Sequence, residues 1–172
     1  MKHIFLAALL FIFGLVIFSC SRVSEEELWK SSESLLQEQK YAEAIEKLTE
    51  IVKKYPKGEK AAEAQFLIAA LYNNDLHDFE KAIAEYKKFV ELFPDNPQVP
   101  KTMFLIGFVY NNQLHNFDSA KIAYEAFLEK FPHHELAPSA QMEIQTLGKS
   151  PEELIQPEVA MKPETKEIKK KK

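Results

Sequence analysis

Only four glycines, one cysteine and one tryptophan occur among the 172 residues of this chain, and each scarcity closes off a class of answers. The single cysteine, Cys20, permits no intramolecular disulfide and no four-cysteine metal site. So few glycines leave no glycine-rich phosphate loop, and no serine, histidine and acid fall at a spacing that marks a nucleophile with its base. Positive charge is not in excess either. The net charge is −4, and between Cys20 and Met161 there are 15 Lys and Arg against 24 Asp and Glu, with six lysines set apart in residues 162–172. Binding to nucleic acid needs a basic face against the phosphates and is not expected. His133, His134 and Glu135 adjoin one another, but neighbours in a loop rarely converge on one ion without further ligands. The expectation is a chain that is not an enzyme and carries neither metal nor cofactor.

What is present is repetition. Phe79 to Pro94, FEKAIAEYKKFVELFP, has one echo 38 residues earlier, Tyr41 to Pro56, and another 38 residues later, Phe117 to Pro132. The three share an aromatic at the start, Ala44, Ala82 and Ala120 three residues on, then Leu48, Tyr86 and Tyr124, and a closing proline. The shared apolar positions fall at helical spacing, so each echo predicts an amphipathic helix stopped by its proline. A second element repeats with the same period: Phe66 to Tyr72 and Phe104 to Tyr110, followed by the matching turns 73–78 and 111–116. Asp78 and Asn116 stand where N-caps belong. His77 and His115, one residue earlier, read as parts of the turn.

The ends differ from the middle. Ser24 to Glu27 has capping-box spacing and opens a first helix running to about Gln37, with Leu28, Ser32, Leu35 and Leu36 as its stripe and Trp29 as its largest residue. Ser139 to Leu147 predicts a seventh helix ended by Gly148, and Ser150 to Ile155 a short capping helix. From Pro157 there is no aromatic and a lysine run, which predicts a disordered tail over 157–172. At the other end Met1-Lys2-His3 precedes an apolar run from Ile4 to Phe18, shorter than the ~20 residues of a comfortable bilayer span, so residues 1–19 read as an export signal.

Two resemblances follow. Ile17-Phe18-Ser19-Cys20 resembles the bacterial lipoprotein signal, which implies acylation of Cys20, a short tether over 20–24 and a membrane anchor. Ser21 carries no acidic retention signal of the enteric type, which on that resemblance points to the outer membrane, facing the periplasm. The helical region resembles tetratricopeptide repeats: Ile68-Ala69, Tyr72, Ala82, Tyr86 and Pro94 in one unit, and Ile106-Gly107, Tyr110, Ala120, Tyr124 and Pro132 in the next, follow that family's pattern. The period of 38 exceeds the family's usual ~34, and the lengthened links are similar to those of envelope lipoproteins related to the outer-membrane assembly component BamD and of the cell-division coordinator CpoB. The likeness covers about Leu28 to Gly148.

The resemblance implies an all-α fold, a right-handed α-solenoid of three helix pairs (about 25–59, 60–97 and 98–135) with capping helices over 136–156. Its small residues imply close helix contact, Ala69 or Gly107 on one helix against Ala82 or Ala120 on the other. It further implies a concave groove lined by the first helices of successive units, in which Trp29, Phe66, Asn73, Asn74, Phe104, Phe108, Asn111 and Asn112 would hold a peptide. Two readings stay open for the paired amides, ligand binding or helix termination by residues tolerant of the left-handed conformation. Phe104 and Phe108 are likewise candidates for groove or core. The implied function is an anchored scaffold that binds envelope proteins or peptides in outer-membrane assembly; a carrier of a small molecule or glycan in the groove is the alternative.

Overall fold

The computed structural model describes residues 23–149 and Glu153. The export signal, Cys20, most of the short capping helix and the lysine-rich tail lie outside those residues. Among the described residues there are seven α-helices and no strand: α1 (Glu25–Gln37), α2 (Tyr41–Lys54), α3 (Ala61–Asn74), α4 (Phe79–Leu92), α5 (Val99–Asn112), α6 (Phe117–Lys130) and α7 (Ala137–Thr146). The all-α expectation holds. The chain divides into two compact units within α4, one ending at Glu85 and the other beginning at Tyr86.

In the first unit α2 packs on both α1 and α3. Leu28 and Trp29 of α1 meet Ile45, Leu48, Ile51 and Val52 of α2 and Ala64, Ile68 and Leu71 of α3 in one apolar cluster. Ser32 is fully buried there, its hydroxyl donating to the Trp29 carbonyl at 2.7 Å, so a polar residue on the apolar stripe is satisfied within its own helix. In the second unit α6 packs on α5 and α7. Its core is Ala120, Tyr124 and Phe127 with Ala137 and Ala140, flanked by Met103, Phe104 and Ile144.

The helix ends follow local chemistry. Ser24 makes the complete capping box with Glu27. Asn116 accepts from the Ser119 amide at 3.0 Å and Asp78 from the Lys81 amide at 3.2 Å, as the N-cap expectation requires. The paired asparagines do not take the left-handed conformation: α3 and α5 run through them to Asn74 and Asn112, and the positive φ falls instead on His77 (52°) and His115 (49°), with Gln39 (58°) one period earlier. The chain reverses only after the helix has unwound beyond Asp75 or Gln113, so the strained residue comes just before the next N-cap.

The links between helix pairs share a device that their residues disguise. At equivalent places the Gln98 amide donates to Asn96 Oδ1 at 2.9 Å and the Leu136 amide to His134 Nδ1 at 3.1 Å. The third equivalent is Gly58, which has no side chain to offer. There the Glu25 carboxylate occupies the space a Cβ at Gly58 would need, and its Oε1 accepts from the Lys60 amide at 2.8 Å. Glu25→Ala is therefore expected to lose about 0.5–1.5 kcal/mol. Gly58→Asn in the Glu25→Ala background is expected to restore most of it, because the asparagine can serve Lys60 as Asn96 serves Gln98. Urea unfolding of the single and double variants checks this, and a double variant no more stable than Glu25→Ala would refute it.

Burial of two phenols sets an alkaline limit. Desolvation pushes Tyr86 up from its ordinary value of 10 to about 12, and Tyr124 is raised by the same cause with the Glu143 carboxylate adding to it. A raised folded pKa means the folded state holds its proton where the unfolded chain has lost it. The stabilising contribution is thus complete below pH 10 and disappears as pH rises through about 12. Unfolding free energy measured between those limits should fall, and should fall less steeply in Tyr86→Phe.

Candidate functional site

The groove residues expected from the repeat pattern have unequal fates. Trp29 is only 8% exposed, sits in the first unit's core and carries the Lys60 ammonium 4.6 Å above its ring, so it offers a ligand little surface. Phe66 is half-buried on α3. At the end of that helix Asn73 donates through Nδ2 to Asn74 Oδ1 at 2.7 Å, while Asn73 Oδ1 is buried without a hydrogen-bond partner and Asn74 is exposed.

In the second unit Phe104 turns toward the core, its ring 5.3 Å from that of Tyr124 and 6.1 Å from that of Phe127 in an edge-on contact. Its geometry is that of packing. Phe108, one turn on, is 38% exposed, and its carbonyl accepts from Asn112 Nδ2 at 3.1 Å. Asn111 Nδ2 donates to Glu143 Oε2 at 2.8 Å, joining the end of α5 to α7.

That last bond lies in a polar cleft of about 460 Å³ where the ends of α5 and α7 meet the start of α6. Asn111 and Asn112 line it, as do His115, Phe117, Glu143, Thr146, Gly148 and Lys149, none of which the groove reading included. Phe117 was visible in the sequence only as the aromatic that opens a repeated helix; in the structure it is 40% exposed. Gly148, at φ +70°, passes close to that ring, and a Cβ there would lie 3.2 Å from it. Glycine is required here both for the backbone conformation and for the approach. The Tyr124 hydroxyl, near enough to the Glu143 carboxylate to feel its charge, is buried without a hydrogen-bond partner.

A second concavity in this unit is apolar. It measures about 350 Å³ and lies between Val90 of α4, Met103 and Ile106 of α5, and Ile122 and Ala126 of α6. Lys87 at its rim donates to the Tyr110 hydroxyl at 3.2 Å. Among the described residues no three His, Cys, Asp or Glu side chains cluster as metal ligands would. His134, one of the histidines considered for such a role, is engaged through Nδ1 in the link between helices. No helix among the described residues is long and apolar enough to cross a membrane.

At the start of the described chain the Val23 carbonyl accepts from the Tyr55 hydroxyl at 2.6 Å, and Glu25 reaches the Lys60 amide. Val23 and Glu25 are thus fastened to the α2–α3 link. Against known proteins, the model of a family described as YfiO, outer membrane lipoprotein, matches residues 21–160. No individually curated protein matches the chain.

Proposed function

The chain belongs to the YfiO family of outer membrane lipoproteins, and from that premise we propose that it is a lipid-anchored helical-repeat scaffold which binds envelope proteins during outer-membrane assembly. The likeness to BamD-type lipoproteins is thereby established for the family. Acylation at Cys20, a periplasmic orientation and the assembly role are the finer parts of the proposal. The observation that carries it is the family match itself, which covers most of the chain and begins at the residue after Cys20.

Physical chemistry supports the arrangement. One acyl chain holds a protein to a bilayer only marginally, whereas the multiply acylated cysteine implied by the signal would hold it stably. Because Val23 is fastened to Tyr55 and only Ser21 and Arg22 separate it from Cys20, the repeat domain would stand close to the bilayer with the α2–α3 link nearest to it. Its work there would be binding, through exposed apolar side chains such as Phe108 and Ile122, and not catalysis.

Affinity capture of the full chain from its own membranes, with mass spectrometry of bait and co-purified proteins, tests the reading. The bait should begin at Cys20 and carry acyl chains, and outer-membrane proteins should accompany it. Cys20→Ala is expected to carry no acyl chains and, once its export signal is removed, to leave the membrane fraction and lose those partners. A processed Cys20→Ala protein that stayed with the membrane as fully as the parent would refute the anchor, and a correctly acylated bait with no protein partner would refute the scaffold.

A further inference from the structure

The geometry of the polar cleft in the second unit points to a saccharide-binding site, a function separate from the protein scaffold. Its floor is unusually rich in hydrogen-bond acceptors. Glu143 uses Oε2 to accept from Asn111 and has no cationic partner among the described residues; the side-chain oxygens of Asn111 and Asn112 accept from no donor there. The Thr146 hydroxyl spends its proton on the backbone carbonyls of Met142 and Glu143, which leaves it an acceptor as well. His115 and Lys149 also line the cleft and can donate, the side chain of neither being held by a hydrogen bond or ion pair among the described residues.

A ligand that fits must donate several closely spaced protons, accept a few bonds in return and carry no net charge, since one carboxylate and one ammonium balance within the cleft. It must also present an apolar face to Phe117, whose ring packs on Gly148 and remains 40% exposed. A sugar ring meets all of these terms. Adjacent hydroxyls can donate to Glu143 and Asn111 together, and the C–H face of the ring can lie on the aromatic. A volume of about 460 Å³ is within the range of small-ligand sites. A peptide backbone, with its donors and acceptors spaced singly along the chain, matches the clustered acceptors less well. The inference draws on the second unit alone and does not require the anchor or the protein partners. The envelope location supplies a reason for glycan to be within reach.

The test is calorimetric titration of the full chain, held in a sugar-free detergent, with a soluble tetrasaccharide of β-1,4-linked N-acetylglucosamine. Saturable binding is expected, weakened about tenfold in Phe117→Leu and in Glu143→Ala. Asn112→Ala, at an exposed side chain outside the core, serves as the third variant should either of the others fail to melt as the parent does. No saturation at the solubility limit of the sugar would overturn the proposal. So would affinity unchanged in the variants, which would place the sugar elsewhere, or displacement of the sugar by a capped neutral tripeptide of equal or greater affinity, which would make the cleft a peptide site. Because partner capture and acylation are read separately, failure here leaves the scaffold reading intact, and the reverse also holds.

Discussion

Phe127→Ala is expected to remove about 3–5 kcal/mol of stability, the range for truncating a fully buried phenylalanine. Phe127 is 0% exposed and is the residue on which the second unit's elements converge. Its ring meets Phe104 of α5 at 6.1 Å, Phe131 at the end of α6 at 6.0 Å, and the His134 imidazole in the link at 5.8 Å. Alanine there would forfeit the transfer energy of the ring and leave a cavity bounded by a helix, a helix end and a hydrogen-bonded turn, none of which can collapse into it cheaply. Since whole domains of this size are stable by only ~5–15 kcal/mol, the loss is a large fraction of the total. Chemical unfolding monitored by far-ultraviolet circular dichroism reads it directly. Phe104→Ala should lose less, because Phe104 is only half-buried. A Phe127→Ala protein within about 1 kcal/mol of the parent would mean that the second unit's core is not built around this ring.

The helical repeat was legible because it depends on residues close in sequence. Period, apolar spacing and the N-caps Ser24, Asp78 and Asn116 all state themselves within one turn of where they act. The closing prolines were legible too, although the helices end earlier, at Lys54, Leu92 and Lys130. The residue before a proline is pushed out of the helical region, so Tyr55 and Phe131 leave it, with φ of −127° and −134°.

What could not be read was anything set by a partner distant in the chain. Gly58, Asn96 and His134 are chemically unlike, yet all three mark the position that serves the next helix's first free amide. Only the structure shows Glu25 standing in for the side chain that Gly58 lacks. The cleft is the same case: Asn111 was a candidate from its repeat position, but Phe117, Glu143 and Gly148 join it through the packing of α5, α6 and α7. For a related reason the sequence leaves Phe104 open between groove and core and does not show how deeply Trp29 is buried, since an aromatic on a repeat helix satisfies the same pattern in either place.

The small residue of the repeat pattern also has a packing neighbour beyond the one its spacing names, and this yields the sharpest packing test. The expectation was that Gly107 lets α5 approach Ala120. In the structure the side chain that would be struck is Tyr124, four residues further along α6: a Cβ at Gly107 would lie 2.7 Å from both Cδ1 and Cε1 of its ring. That ring is 0% exposed and packed on Phe104, so it cannot swing aside as a surface side chain would. Two effects oppose each other in Gly107→Ala. Helix propensity favours alanine by ~0.8–1 kcal/mol, whereas overpacking a tight core costs about 1–3 kcal/mol. With both ring carbons inside contact distance the second is expected to prevail, and Gly107→Ala should be less stable than the parent despite its better helix former. If the cause is the ring, the two sites must be coupled: in a Tyr124→Leu background, where the ring edge is gone, Gly107→Ala should cost nothing or stabilise by its propensity gain. A double-mutant cycle by urea unfolding measures that coupling, and additive losses would show that the glycine is needed for some reason other than Tyr124.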